Sequence, residues 1–171
     1  MDRLRWIEPL INYMKTDSNL NGHGNPNLID LNGSNIFPIF SYDGFQTINN
    51  FFHGVTICPK EGEPLDQKDC GTIIELSIEI GAMTYNPQQT AEGFQENIQA
   101  GITQITGAYK DGAVFEEQIR KAILGFNEAL KNNLIGNEWR FEPLFLVRLL
   151  EPYFHNGLVV MRTLYRTRFV F

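Results

Sequence analysis

The sequence lacks the short motifs that mark the common enzyme classes. Its 171 residues contain no P-loop, no G-x-G-x-x-G pattern and no G-x-S-x-G nucleophile elbow. The three histidines, His23, His53 and His155, each adjoin glycine or asparagine, and no two have the spacing of a zinc-binding motif. We therefore expect no catalytic residue, no metal ion and no cofactor.

Cysteines and long apolar runs are also scarce. Two cysteines, Cys58 and Cys70, are too few for a disulfide framework. They flank a turn-rich stretch across which they could meet, but we expect two reduced thiols in a cytoplasmic product. No apolar run approaches the roughly 20 residues of a membrane-spanning helix. The amphipathic start of the chain lacks the features of a signal peptide, so we expect no membrane partner.

Negative charge dominates the sequence, but it is unevenly distributed. The net charge is −6; residues 1–119 carry 16 acidic and 6 basic side chains, whereas residues 120–171 carry 4 acidic and 8 basic ones. Sequence-specific recognition of nucleic acid needs a basic surface, so the overall balance argues against it. The acidic first part and the basic last part instead favour complementary contacts between copies of the chain.

Apolar residues recur at helical spacing in two segments. Residues 3–15 form one amphipathic helix, which begins or bends near Pro9. Residues 114–133 have the clearest helical pattern, and the helix is predicted to end at its two final asparagines. Its apolar stripe consists of six residues: Phe115, Ile119, Ala122, Ile123, Phe126 and Leu130. Residues 86–112 combine helical spacing with several glycines, so this segment is either a helix or an extended arm.

Strict alternation predicts two long strands. In residues 72–85 the even positions from 74 to 80 are Ile or Leu, and the odd positions include Glu75 and Glu79. In residues 161–171 one face is apolar or hydroxylated. The other face carries three arginines: Arg162, Arg166 and Arg168.

The remaining segments are shorter or irregular. Pro38 indicates an edge strand, residues 55–58 a short strand, and residues 59–71 a polar connection. One or two strands lie within 138–154, and residues 17–35 form a long Asn/Gly-rich loop. The predicted fold is α+β: a single domain, residues 1–171, with two main helices packed on an antiparallel sheet of strands of mixed length. The loop 17–35 and the segment 86–112 are its expected interaction arms.

The charged faces of the two long strands are the candidate site. Glu75 and Glu79 share one strand face, and Arg162, Arg166 and Arg168 share another. A carboxylate pair with an arginine-bound substrate would suit a small hydrolase. We favour ion pairs across adjacent strands or across a subunit boundary. The four carboxylates of residues 61–69 are interpreted as a solvated acidic loop.

The order of elements resembles that of tail terminators and related head–tail joining proteins of tailed bacteriophages. The resemblance is carried by the helix RLRWIEPLINYMK, the strand TIIELSIEIGAMTY, the helix FEEQIRKAILGFNEAL, and the strands EWRFEPLFLV and VVMRTLYRTRFVF. It implies a small α+β subunit without catalytic residues that assembles into a ring, usually of six, at the head-proximal end of the tail.

The expected function is therefore structural, in the virion, after assembly in the bacterial cytoplasm. The ring would end tail-tube growth and contact tube and head-side connector proteins, and DNA would pass through it. Glu75, Glu79, Arg162, Arg166 and Arg168 are the expected subunit-interface residues, and Asn25 and Asn27 are expected to contact neighbouring proteins. The alternatives are another phage ring protein of the tube, baseplate or connector, a cytoplasmic binding or immunity module, and the small hydrolase.

Overall fold

The computed structural model describes residues 3–39, 42, 52–68, 71–85, 98–135, 142–155 and 157–170. Within these ranges, two helices and six strands follow one another. They are listed here in chain order: α1 (Arg3–Met14), β1 (Ile36–Pro38), β2 (Phe52–Lys68), β3 (Gly71–Tyr85), α2 (Ile98–Lys131), β4 (Phe145–Leu149), β5 (Tyr153–His155) and β6 (Leu158–Val170). The predicted α+β class with two helices is confirmed.

All six strands belong to one sheet. Its order is β1-β2-β3-β6-β4, and β5 pairs with β6 beyond the end of β4. All pairs are antiparallel except β1–β2, which is parallel, so the predicted antiparallel sheet is in fact mixed. The last strand is an inner strand, because it pairs with β3 on one side and with β4 and β5 on the other.

The hydrophobic core lies between the helices and one face of the sheet, called here the helix face. All six predicted stripe residues of α2 are buried or nearly so. Alternate residues of β3 and β6 meet them, including Ile78, Ile80 and Tyr165. From α1, Ile7, Leu10 and Met14 complete the core. The opposite face of the sheet, called here the charged face, carries Glu75 and Glu79 with the three arginines of β6.

Two predicted boundaries are wrong, both because tertiary contacts override local preference. Residues 59–68 are not a polar connection: they continue β2, which has bulges between Pro59 and Gly62 and between Pro64 and Asp66. Bulges accommodate proline, which cannot donate to the ladder. The second helix spans Ile98–Lys131, so it starts earlier than the predicted residue 114, and of the two alternatives for residues 86–112 the helix is the correct one for residues 98–112. Residues 86–97 lie outside the described part of the chain.

The end of α2 agrees with the prediction. Asn133 has a positive φ of 52°, and the amide of Leu134 donates to the carbonyl of Ala129. A left-handed residue with this hydrogen bond is the usual helix-terminating arrangement. The helix α1 spans Arg3–Met14 with Pro9 inside it, so of the two alternatives at Pro9, a start or a bend, the start is excluded.

The loop 17–35 lacks helices and strands, as predicted, but it is tied to the body of the protein. The buried side chain of Gln118 accepts a hydrogen bond from the amide of Ile29 at 3.0 Å and donates to the carbonyls of Ile29 and Asn19. The Asn21 side chain donates to the carbonyl of Met14 and accepts from the amide of Gly33. These contacts fix the loop against both helices.

Candidate functional site

Glu79 is the charged centre of the sheet. Its side chain is 1% exposed, and hydrogen-bond donors from three other residues converge on it. The Arg162 guanidinium donates to both carboxylate oxygens at 2.7 and 3.0 Å. The Lys60 ammonium lies 3.0 Å from Oε2, and the Tyr42 hydroxyl donates to Oε1 at 2.9 Å. The carboxylate therefore receives two donors on each oxygen, which is close to its full acceptor capacity.

These contacts decide the protonation state of Glu79. Burial alone would raise its pKa, but the hydrogen bonds from Arg162, Lys60 and Tyr42 outweigh burial and lower the pKa to about 2. Burial also raises the pKa of the Tyr42 phenol, and the neighbouring carboxylate raises it further. At neutral pH Glu79 is ionised and Tyr42 is protonated, so neither group is poised to exchange a proton.

Glu75 forms a second, more exposed cluster on the same face. Its carboxylate lies 3.1 Å from Nε of Arg166 and 3.5 Å from Nε of Arg168. Glu75 is 21% exposed, while the two arginine side chains are 50% and 53% exposed. Exposed pairs of this kind contribute only about 0–1 kcal/mol each to stability. The two guanidinium groups therefore share one carboxylate.

Beside this cluster, the edge strand β4 exposes its apolar side chains. Phe145 is 63% exposed and Leu149 is 68% exposed, and Leu146 and Val147 are also exposed. The cross-strand partners place Phe145 on the charged face and Leu146 and Leu149 on the helix face. Neither face of β4 is thus covered by the described part of the chain. These four residues are called here the β4 surface.

A groove joins the β4 surface to the arginine cluster. It has a volume of about 410 Å³ and is lined by Glu75, Glu142, Phe145, Val147, Arg166, Thr167 and Arg168. Its walls combine apolar side chains with exposed cations. Such a lining suits the surface of a protein partner that carries both apolar groups and carboxylates.

The strand β4 is held firmly despite its exposure. The Asn127 side chain donates to the carbonyl of Leu144 at 2.9 Å and accepts from its amide at 2.8 Å. The Glu142 amide donates to the carbonyl of Arg168, and the Glu142 carbonyl accepts from the Thr167 hydroxyl. At the other end, the Leu150 amide donates to the carbonyl of Arg162. The chain is therefore fixed on both sides of the β4 surface.

The predicted site residues separate into two groups. Arg162 pairs with Glu79, whereas Arg166 and Arg168 pair with Glu75. Pairing across adjacent strands, one of the two arrangements we favoured, is confirmed. Whether these five residues also contact another subunit stays a prediction.

Sequence reasoning missed three parts of the site. Lys60 was assigned to a polar connection, and Tyr42 carried no pattern that links it to Glu79. The β4 surface was missed because FLVRL is apolar at four of five positions, which is typical of a buried strand. The two prolines that flank it, Pro143 and Pro152, were the available signal of an edge strand.

The other candidate residues provide little evidence of a functional role. Cys58 is buried and free, and burial raises the pKa of its thiol; Cys70 lies outside the described residues. Asn25 and Asn27 are exposed, and the Asn25 side chain accepts a hydrogen bond from the amide of Asn27. Of the acidic loop 61–69, the backbone of residues 61–68 belongs to β2.

Within the described ranges, no group of three or more His, Cys, Asp and Glu residues is arranged to hold a metal ion. Among the helices of the described ranges, none is long and apolar enough to cross a membrane. Comparisons with protein-family models, with curated proteins and with solved structures give no match for this chain.

Proposed function

We propose that this chain is a self-assembling structural subunit that forms a ring at the head-proximal end of a phage tail. The ring ends growth of the tail tube and offers a surface to which the head is joined. The observation that carries the proposal is the β4 surface, an apolar edge strand that is anchored on both sides and that the described part of the chain leaves uncovered. Soluble monomers rarely expose contiguous apolar patches larger than a few hundred Å², and such patches commonly mark protein contacts.

The state of the carboxylates supports a structural role over the hydrolase alternative. A general acid or base needs a pKa near the working pH and access to the substrate. Glu79 has a pKa of about 2 and is nearly inaccessible. Glu75 is more accessible, but both of its oxygens face arginines of its own sheet. These features suit two carboxylates that hold strands together.

The phage assignment rests on the resemblance in the order of elements. A helix, a half-buried strand, a long helix and a closing pair of strands are all present in the described fold. In a ring of identical subunits each copy uses two different patches, since the contact is head to tail and closes on itself. A partly apolar, partly charged edge is suitable for one of those patches.

The first test is the mass of the purified chain in solution, by light scattering after size exclusion and by mass photometry at micromolar concentration. We expect one closed oligomer, a hexamer if the resemblance holds in detail. A monomer that co-purifies with a single heterologous protein would instead favour the binding or immunity module.

The second test locates the chain in particles of the phage that encodes it. An epitope inserted after Asn25, which is exposed in the loop 17–35, provides the label for electron microscopy. We expect label only at the junction of head and tail. Label along the tail or at its far end would favour a tube or baseplate protein. Particles that lack the chain would refute the proposal.

A further inference from the structure

The loop 17–35 contains two Asn-Gly dipeptides, Asn21-Gly22 and Asn32-Gly33. In such a sequence the glycine amide nitrogen can attack the side-chain carbonyl carbon of the asparagine, because glycine has no Cβ atom to hinder the approach. The new N–C bond closes a succinimide ring, the C–N bond of the side-chain amide breaks, and ammonia leaves with the proton of the backbone amide. Water then opens the ring at either carbonyl and gives aspartate or isoaspartate. Each dipeptide is thus a candidate site of a covalent modification that consumes only water.

In the first dipeptide the structure holds both reacting groups in place. The side-chain nitrogen Nδ2 of Asn21 donates to the carbonyls of Met14 at 2.7 Å and Asp17 at 3.0 Å. The attacking group, the backbone amide of Gly22, donates to both carboxylate oxygens of Asp30 at 3.1 Å. Formation of a succinimide at Asn21 therefore requires that several hydrogen bonds break first, which is a local opening of the loop.

The second dipeptide is restrained much less. Asn32 is exposed, and its side chain makes no hydrogen bond to any other residue that the structure describes. Asn32 and Gly33 both have a positive φ, 51° and 73°. The attacking nitrogen is held by a hydrogen bond in which the Gly33 amide donates to Oδ1 of Asn21 at 2.6 Å. This bond must break before the Gly33 nitrogen can turn towards Cγ of Asn32, so the side chain of Asn21 controls the reactivity of Asn32.

We propose that Asn32 is a site of spontaneous deamidation in the folded protein, and that Asn21 limits its rate by holding the Gly33 amide. This inference goes beyond the proposed function and does not depend on the ring. The product places a second carboxylate beside Asp30, which accepts hydrogen bonds from the backbone amides of Gly22 and Asn32. Isoaspartate also inserts an extra carbon atom into the backbone, which disturbs these bonds. Deamidation therefore adds negative charge to the loop and loosens it.

Peptide mapping by mass spectrometry measures deamidation at the two sites separately. Folded protein and protein unfolded in guanidinium chloride are incubated at mildly alkaline pH, and the aspartate and isoaspartate forms of each peptide are quantified over time. In the unfolded chain the two dipeptides should react at similar rates. In the folded protein Asn32 should react at least about tenfold faster than Asn21, because more hydrogen bonds must break at Asn21. An Asn21 rate equal to or above that of Asn32, or no product at Asn32 while the unfolded chain reacts, would overturn the inference.

Two variants test the control by Asn21. Asn21→Ala frees the Gly33 amide and should accelerate deamidation at Asn32 about 2- to 10-fold, the factor expected for the loss of one hydrogen bond. Asn27→Ala is the matched control, because Asn27 is exposed in the same loop and its side chain makes no hydrogen bond to another described residue. It should leave the rate at Asn32 unchanged. Equal rates in both variants and in wild type would contradict the control by Asn21.

The effect of the modification on the loop has its own readout. Protein with isoaspartate at position 32 is separated by chromatography and compared with the variant Asn32→Asp, which has the same charge but an unaltered backbone. Limited proteolysis should cut the loop 17–35 fastest in the isoaspartate form and slowest in the unmodified protein. Equal cutting of all three would overturn the loosening of the loop.

Discussion

Glu79→Gln removes the negative charge on which Arg162, Lys60 and Tyr42 converge. The resulting decrease in the free energy of unfolding follows from the structure. The ordinary pKa of 4.5 and the folded value of about 2 differ by an amount that corresponds to about 3 kcal/mol. Removing one member of a buried ion pair typically costs about 3–5 kcal/mol. Arg162 and Lys60 are 26% and 39% exposed and can regain water, so we expect the lower end of that range.

Glu79 also makes the free energy of unfolding depend on pH, and the direction of this dependence follows from its pKa. Because the pKa of Glu79 is lower in the folded state, its contribution is fully present above the unfolded value of 4.5. It is lost progressively as the pH falls towards about 2. Between about pH 6 and pH 2, the difference in the free energy of unfolding between wild type and Glu79→Gln should shrink from about 3 kcal/mol towards zero.

Urea unfolding followed by intrinsic fluorescence measures this difference. It should be repeated at several protein concentrations, since association would stabilise the folded state. Glu117→Gln is the matched control: it breaks an exposed pair with Arg120 on α2 and should cost less than about 0.5 kcal/mol at any pH. The reasoning is refuted if Glu79→Gln stays within about 1 kcal/mol of wild type at neutral pH and keeps its pH profile.

Three further predictions concern other contacts. Asn127→Ala removes both hydrogen bonds to the backbone of Leu144 and should lower the free energy of unfolding by about 1–3 kcal/mol. Amide hydrogen exchange, followed by mass spectrometry, should become faster in β4 more than in β2. Gln118→Leu removes the hydrogen bonds from the side chain of Gln118 to the backbone of Asn19 and Ile29, so limited proteolysis should cut the loop 17–35 faster than in wild type, with unchanged cleavage elsewhere. Gly81→Ala places a methyl group against Thr56 and 2.6 Å from Val160, and thermal unfolding should show a loss of about 1–3 kcal/mol; an unchanged melting temperature would contradict the packing.

The sequence correctly predicts those helices and strands whose local pattern of apolar residues matches the face that is buried in the folded protein. Strict alternation located β3 and β6 and assigned their faces correctly, because one face of each is buried against helices. The apolar stripe of α2 was predicted for the same reason. Pairing of the two charged faces, across adjacent strands or across a subunit boundary, was also predicted, whereas the specific pair of Glu79 with Arg162 depends on the strand register.

The remaining features depend on contacts that no local pattern encodes. The sequence of β2 contains Pro59 and Pro64, which argue against a strand, and only the bulges show how they are accommodated. Glycine disfavours a helix at the start of α2, but Gly112 lies against Met161, where a Cβ atom would come within 2.8 Å of its Cγ. Its presence is explained by close packing of the helix on the sheet. Exposure of β4 is a property of sheet order, which pattern alone does not supply.

The position of β6 between β3 and β4 has a consequence for the order of folding. Residues paired between β3 and β6 are separated by 73 to 97 positions along the chain, whereas the β2–β3 hairpin closes locally. Long-range pairing is slow because loop-closure entropy is lost first. In a nascent hairpin Glu79 can therefore already contact the Lys60 ammonium of β2, whereas the Arg162 guanidinium arrives only with β6. A two-residue slip of β6 would keep the same residues on each face of the sheet but would move the Arg162 guanidinium away from Glu79. The buried ion pair between Arg162 and Glu79 therefore favours a single register of β6.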